Sequence, residues 1–387
     1  MQLRPHQQIG LDALAKHNKG QVIVPTGGGK TLIAIMDAIR RLEDGNKTIV
    51  VVAPRILLAD QLSSEFLEHI TNASVLHVHS GKTHHKSTTN ADNIKEWVDN
   101  TIGNKLIFTT YHSLHRIVES DIAVDTIYFD EAHNAVQSNF IESVEHFSMY
   151  ADRCYFFTAT PKHSQTPHKA GMNDEDIFGQ VICNVPAPKL VKEGYILPPK
   201  VSVQKLTEFD DSRFKYEHEC EHVLSTIDKH NTDKILICAK STKQITQLTS
   251  LTDFCKELET RGYYWMYITS KTGAFINGNK VSREEFFNTL NTWGKGDERF
   301  VVLHHSILSE VINVKGLDTV FFLRNMNYIG ISQTIGRVIR RGKKEKTYGL
   351  ICVPVCGKVG ISTAKRVESV VDIVFNKGDA AVCVVRK

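Results

Sequence analysis

Val22-Ile23-Val24-Pro25-Thr26-Gly27-Gly28-Gly29-Lys30-Thr31 decides how this chain is read. A β-branched run enters three glycines, a Lys-Thr pair follows, and residues 32–39 are mostly apolar and compatible with a helix. The order is strand, tight loop, helix N-terminus. Such a loop turns several backbone N–H groups inward, and the helix dipole adds partial positive charge at the same place. Thr26, Gly27, Gly28 and Gly29 would then cradle phosphates, Lys30 would reach the β- and γ-phosphates, and the Thr31 hydroxyl would hold Mg²⁺. The strict phosphate-loop pattern has glycine where Val24 stands. On its own the stretch is therefore also compatible with a plain glycine-rich turn.

The 387 residues suffice for two cores of ordinary size, which makes two domains the starting expectation. Hydrophobic residues at 41% and charged residues at 23% are those of a globular chain rather than a disordered one. The net charge of +4 is compatible with nucleic acid without arguing for it; the basic cluster over 337–346 is more pointed. No apolar run has the length of a membrane span. Met1-Gln2-Leu3-Arg4-Pro5 lacks the apolar core of an export signal, so the expected location is the cell interior. The eight cysteines follow neither a disulfide nor a zinc spacing and read as buried thiols in a reducing compartment.

Apolar runs alternate with helical patterns. Strands are expected at 21–24, 48–53, 75–78, 106–110, 126–130 and 154–159, with helices at 8–17, 31–43, 57–69 and 113–120. The continuous run Thr48-Ile49-Val50-Val51-Val52-Ala53 suits a strand buried on both faces of a parallel sheet. Residues 162–176 are polar and read as an exposed connection, and Pro198-Pro199 punctuates the chain near residue 200. The alternation then resumes, with strands at 201–206, 234–239, 263–269, 300–305, 319–323 and 348–353 and helices at 215–229, 243–261, 282–293, 330–340 and 361–375. The expected fold class is α/β: two doubly wound parallel-sheet domains in tandem, with ligand bound at the carboxyl ends of strands and in a cleft between the domains. Two features read as decoys. Gly81-Lys82-Thr83 repeats the Gly-Lys-Thr letters without a strand before them. His77, His79, His84 and His85 hint at metal, but no carboxylate or cysteine completes a set, so a solvated loop is expected. The aromatic run Tyr263-Tyr264-Trp265-Met266-Tyr267 reads as a strand with both faces buried rather than a base-stacking surface.

Two further constellations carry chemistry. Tyr128-Phe129-Asp130-Glu131-Ala132-His133 is an apolar strand ending in adjacent acids. About a hundred residues after a phosphate loop, Asp130 would hold Mg²⁺ through its water shell and Glu131 would orient and deprotonate the attacking water. Gln333-Thr334-Ile335-Gly336-Arg337-Val338-Ile339-Arg340 places Arg337 and Arg340 three apart on an expected helix, hence on one face. Charge there would stabilise a transferring phosphoryl group, with domain closure as the condition. A solvated basic helix face is the plain alternative.

Taken together these stretches resemble a superfamily 2 helicase or translocase over nearly the whole chain. Leu3-Arg4-Pro5-His6-Gln7 is similar to the family's adenine-reading motif, which implies nucleotide contacts for Arg4 and Gln7. Residues 27–31 match motif I, in which an apolar residue such as Val24 is usual. Val52-Ala53-Pro54-Arg55 resembles motif Ia and Thr109-Thr110-Tyr111 the strand-contacting motif after it. The resemblance makes Pro54, Arg55, Thr109 and Thr110 nucleic-acid contacts. Asp130-Glu131-Ala132-His133 is motif II in its DEAH spelling, and Thr158-Ala159-Thr160 is similar to motif III. His133, Thr158 and Thr160 are thereby implied to couple hydrolysis to strand movement. Residues 333–340 resemble motif VI, which implies catalytic roles for Gln333, Arg337 and Arg340 beside Lys30, Asp130 and Glu131. The cofactors implied are ATP and Mg²⁺.

Motif V departs from the family: over 306–314, Val311 stands where glycine is normal and Asn313 where an acid is common. Motif VI lacks the second glycine of the RNA-remodelling DEAH-box enzymes. With Leu-Arg-Pro-x-Gln at the start, it looks like the DNA-acting group that includes the phage helicase UvsW, excision-repair helicases and type III restriction motor subunits. The implied layout is a RecA-like ATP-binding domain at 1–162, a connection at 163–200 and a RecA-like C-terminal domain at 201–387. The chain is short for that group, which suggests a minimal motor of viral type. The expected partner is nucleic acid, DNA before RNA, with no membrane. An RNA helicase, a motor subunit of a larger complex and a binding module with a vestigial ATPase are the rivals.

Overall fold

The computed structural model describes residues 2–206, 215–305, 314, 316–342, 346–356 and 360–385. It divides into two units, Met1–Pro186 with Ala380–Lys387, and Ala187–Asp379. Residues 306–313, which hold the expected motif V with Val311 and Asn313, lie outside the described residues.

The first unit runs α1 (Pro5–Lys16), β1 (Lys19–Ile23), α2 (Lys30–Leu42), β2 (Thr48–Ala53), α3 (Ile56–Leu67), β3 (Ala73–Val78), β4 (Lys86–Ser87), α4 (Ala91–Asn100), β5 (Asn104–Thr110), α5 (Leu114–Glu119), β6 (Thr126–Phe129), α6 (Ile141–Tyr150), β7 (Arg153–Thr158), β8 (Lys162–Ser164), α7 (Glu175–Phe178) and β9 (Val181–Asn184). Its sheet has the order β4-β3-β5-β2-β6-β7-β1-β9, and every pairing is parallel. All six residues of β2 are buried, as its unbroken apolar run requires. Val50 and Val52 face a core with Ile107, Phe129 and Phe156 that is closed by Ile94, Leu114, Ile117, Val144 and Phe147 from α4, α5 and α6. The alternate positions face the other helices, where Phe66 of α3 packs edge-on against Phe108.

One buried carboxylate ties the helix after the glycine loop to the strand before the acid pair. Asp37 of α2 is fully buried. It pairs with Arg40 and Arg41 one turn on, and accepts a 2.8 Å hydrogen bond from the Tyr128 hydroxyl of β6. Arg41 also donates to the Leu14 carbonyl at the end of α1. Burial, and then the Asp37 charge, push the Tyr128 phenol well above its ordinary range, so it stays a donor.

The stretch 163–200 holds β8, α7, β9 and, in the second unit, α8 (Ala187–Lys192). β9 adds to the free side of β1, and the buried Gln21 amide donates to the Met172 and Gly179 carbonyls. Met172 and Phe178 enter the core, so 162–176 is more than the exposed connection its polarity suggests.

The second unit continues with β10 (Pro199–Leu206), α9 (Lys215–His230), β11 (Lys234–Cys238), α10 (Thr242–Ser250), α11 (Phe254–Thr260), β12 (Tyr264–Thr269), β13 (Gly273–Ile276), β14 (Asn279–Val281), α12 (Arg283–Lys295), β15 (Phe300–His304), β16 (Thr319–Phe322), α13 (Tyr328–Val338), β17 (Gly349–Cys356) and α14 (Ile361–Val371). Its sheet order is β10-β17-β16-β11-β15-β12-β13-β14. Six strands are parallel, and an antiparallel hairpin closes one edge. The aromatic run is corrected in part. Tyr263, Trp265 and Met266 are buried, but Tyr264 is 46% exposed and stacks on Trp293 at 4.9 Å. Finally β18 (Cys383–Val385) pairs in parallel with β8 in the first unit.

Replacing Asp37 by Ala strands two arginines and a buried phenol. We expect a loss of about 3–5 kcal/mol in chemical denaturation of the first unit. A loss below about 1 kcal/mol, the scale of an exposed ion pair, would contradict the network's role.

Candidate active site

Because the strands of the first unit are all parallel, the carboxyl ends of β1, β2, β5, β6 and β7 lie along one edge of the sheet. The glycine loop, Pro54-Arg55 and Asp130-Glu131 follow those ends, and Thr109-Thr110 and Thr158 are the last residues of β5 and β7.

Gly27 and Gly29 of the loop have φ of 89° and 84°, backbone that a side chain rarely tolerates. Gly29 caps the N-terminus of α2. A Cβ at Gly29 would also strike the Gln7 amide nitrogen at 2.3 Å, so α1 leans directly on the loop. One contact holds it there: buried His6 donates from Nε2 to the Gly28 carbonyl at 2.7 Å. The Gln7 side-chain oxygen accepts from the Arg4 N–H at 3.0 Å, which caps the start of α1 itself. Pro5 sits at the first helical position, which starts α1 three residues earlier than the apolar pattern implied. His6 is a positioning residue that sequence reasoning passed over, although it lies between the two residues picked for nucleotide.

The acid pair meets the loop across the sheet. Lys30 Nζ is 3.1 Å from Glu131 Oε1. Glu131 stands at φ 45°, a left-handed conformation uncommon outside glycine. Its other oxygen is 3.5 Å from His133 Nδ1. The same His133 nitrogen lies 3.2 Å from the Thr158 hydroxyl and 3.4 Å from that of Thr160, while the Thr160 N–H donates to Thr158 Oγ1 at 3.1 Å. Lys30, Glu131, His133, Thr158 and Thr160 thus form one contact chain. Tyr111 braces it by donating from its hydroxyl to the Asp130 carbonyl at 2.9 Å.

Burial, and then the neighbouring Glu131 charge, raise Asp130 above the usual carboxylate range, against the pull of Lys30. A divalent cation would relieve that excess of negative charge. The Thr26 hydroxyl adds a second sign of a missing partner: it lies out of solvent with no hydrogen bond among the described residues. The donor set therefore fits a nucleotide polyphosphate with Mg²⁺ at Thr31 and Asp130.

The expected nucleic-acid contacts differ in what they offer. Arg55 is exposed at the N-cap of α3 and Pro54 is buried. Thr109 and Thr110 are buried, and the Thr109 hydroxyl already donates to the Val78 carbonyl at 2.9 Å.

In the second unit, Gln333 and Arg337 are buried on α13, which excludes a solvated basic face at Arg337. Its neighbour His304 is held well below the ordinary imidazole range by burial and then by Arg337 and Arg324. Arg340 corrects an expectation. The helix ends at Val338, so Arg337 and Arg340 do not share a helical face. Leu197 N–H takes the Ile339 carbonyl at 2.7 Å and Ile196 bridges Arg340, which draws the chain into extended backbone. Lys346 donates to the Val338 carbonyl at 3.2 Å, and burial pushes its pKa down to about 8.

A further correction concerns the histidines after β3. His77 and His79 are buried, and both face Asp60 of α3. The carboxylate judged missing comes from a helix seventeen residues earlier than His77, beyond the reach of a local spacing rule.

Residues 1–163 match the family model of the type III restriction enzyme res subunit. That res-type region spans the glycine loop, the acid pair and Thr158-Ala159-Thr160, and it fits the DNA-acting branch of superfamily 2 that the motifs resemble. The fold is similar to that of the "ATP-dependent Type ISP restriction-modification enzyme LlaBIII bound to DNA", with a TM-score of 0.77 and 17% identity over 100% of this chain and 31% of that one. It is also similar to a nuclease-deletion mutant of the Type ISP enzyme LlaGI in complex with a DNA substrate mimic, with a TM-score of 0.68 and 19% identity over 99% of this chain and 30% of that one. At such identities the likeness is one of fold, and the chain spans about a third of either enzyme. No curated protein matches the sequence. Among the described residues no helix is long and apolar enough to cross a membrane.

The raised pKa of Asp130 fixes the sign of a pH effect. Without cation, the folded state disfavours its ionised form, so the stability contribution is full below about pH 4 and is lost as pH rises through the folded value. Asp130→Asn should therefore melt a few degrees above wild type at pH 8 in chelator, with the gap closing toward pH 4 in differential scanning fluorimetry. A variant that melts below wild type at pH 8 would refute this.

Proposed function

We propose that the chain is the motor of an ATP-driven DNA translocase. The observation that carries the reading is the 3.1 Å contact between Lys30 and Glu131, which joins a glycine phosphate loop to an acid pair on the same sheet edge, one strand apart. The res-type match over 1–163 and the DNA named in both structural relatives favour DNA over RNA.

The residues work as follows in this reading. Lys30 leaves Glu131 for the β- and γ-phosphates when ATP enters, and Glu131 is released to orient and deprotonate the attacking water. Thr31 and Asp130 would hold Mg²⁺, which offsets charge on the phosphate oxygens. Arg4 and Gln7 read the base beside the loop. His133 passes the state of Glu131 to Thr158 and Thr160 at the end of β7. Gln333, Arg337 and Arg340 serve the γ-phosphate, with the arginines supplying charge in the transition state. Arg55 and Pro54, with the backbone at Thr109 and Thr110, contact phosphates of the strand, so binding is salt-sensitive. The layout of ATP-binding domain 1–162, connection 163–200 and C-terminal domain 201–387 belongs to the same proposal.

A second reading limits the activity to translocation without strand separation. It is favoured by the relatives, in which a chain of this length makes up under a third of a larger enzyme.

ATPase assays with single-stranded DNA, duplex DNA and RNA test the first reading, and a strand-displacement assay run beside them tests the second. DNA should stimulate hydrolysis most; stimulation by RNA alone would overturn the choice of substrate. Lys30→Ala and Glu131→Gln should reduce turnover to background with the fold intact, and wild-type-like turnover in either would sink the assignment. Arg337→Ala and Arg340→Ala should lower kcat by about 10³-fold with little change in ATP affinity. Equal losses in both quantities would mean that they only hold nucleotide.

A further inference from the structure

The cluster at the end of β3 belongs to none of the chemistry above. His77 is the last but one residue of the strand and His79 follows two residues later, so the two side chains leave on the same side. Asp60 and Ser63 stand three apart on α3 and share one helical face. The two faces meet. His77 Nδ1 is 3.0 Å from His79 Nε2 and 3.3 Å from Asp60 Oδ1, and His79 Nε2 is 3.6 Å from the same oxygen.

Three ligand-type atoms therefore form a near-equilateral triangle. In a tetrahedral zinc site with bonds of about 2.0–2.1 Å, ligand atoms lie about 3.3 Å apart. The observed edges bracket that value. The His77–His79 edge is a hydrogen bond, but Asp60 Oδ1 is out of solvent and accepts no well-aligned hydrogen bond, so the two Asp60 edges are left for a ligand shared by all three atoms. Ser63 Oγ lies 3.0 Å from His77 Nε2, which orients the ring and leaves Nδ1 its lone pair toward that ligand.

We propose that Asp60, His77 and His79 bind one divalent transition-metal ion, with zinc as the fitting case and solvent as fourth ligand. The outer side of the site is covered by His85, whose ring stacks on His77 with centroids 5.4 Å apart. Binding requires one proton shift. The Gly81 N–H lies 3.2 Å from His79 Nδ1, which favours a proton on Nε2. Coordination moves that proton to Nδ1 or to solvent, and the Gly81 contact lengthens. The ion would fasten the loop after β3 to α3, against which it is already tight: a Cβ at Gly81 would lie 2.4 Å from Ile56.

The test uses the full chain, stripped with chelator and free of nucleotide. Zinc chloride is titrated against a chromophoric chelator, bound metal is counted by mass spectrometry, and cobalt(II) chloride is added in a parallel sample. Wild type should bind one zinc per chain with micromolar or tighter affinity, give the visible d–d absorption of tetrahedral cobalt, and melt several degrees higher with zinc. Asp60→Asn keeps size and shape at a partly exposed position. It should melt like wild type in chelator but lose the cobalt spectrum and most of the zinc-induced shift. His79→Gln serves as the second variant. Absence of stoichiometric zinc in folded wild type, or equal zinc binding and cobalt spectra in wild type and Asp60→Asn, would overturn the proposal and leave a hydrogen-bonded histidine cluster or scattered surface binding.

Discussion

A parallel ladder imposes one direction on every strand it contains, and in the first unit that direction organises the chemistry. A chain that repeatedly leaves the same edge of a sheet must make a turn there each time. Five of those turns carry the residues singled out above, although they are spread from Thr26 to Thr160. Reversing any one central strand would carry its turn to the far edge, some 15–20 Å away for a strand of five or six residues. The apolar run of β2 matters for this reason. It makes the centre of the sheet dry on both faces, and the flanking strands then pair in parallel under helices on either side.

The second organising theme is placement of charge. Lys30 has Glu131, Glu131 also faces His133, and Asp130 alone is left with more negative charge around it than burial tolerates. Asp37 lies on the same helix as Lys30 and is held by Arg40, Arg41 and Tyr128, which settles its charge inside the protein. One carboxylate is satisfied by the fold and serves as a rivet. The other is the one to which the proposed mechanism gives a cation. Which of two buried acids serves which end follows from their neighbours rather than from residue type.

Much of this was legible before any coordinates. The glycine loop, the acid pair, the Thr-Ala-Thr turn and the arginine segment are each short and contiguous, and the first three each follow a strong β-branched or aromatic run. The central strands of both sheets were legible for the same reason. What escaped has a common cause, which is distance along the chain. Asp60 reaches His77, Asp37 reaches Tyr128, and β9 joins β1 across about 160 residues, so no local pattern announces them. Arg340 escaped because a backbone pairing with Ile196 ended its helix early. The β13–β14 hairpin is different. Asn277-Gly278 is a two-residue hairpin signal, both residues have positive φ, and the pattern was there to be read.

The left-handed backbone at Glu131 has a consequence for protein engineering. A side chain held at φ 45° carries a conformational cost of order 1 kcal/mol or more, which Gly or Asn would largely remove. A directed-evolution campaign scored on heat resistance alone would accordingly be drawn toward those residues at position 131. It would harvest sturdier molecules by erasing the acid that faces Lys30. In the proposed mechanism, selection on hydrolysis would oppose that drift, so tolerance at this one codon would report which kind of fitness a library has been asked to satisfy.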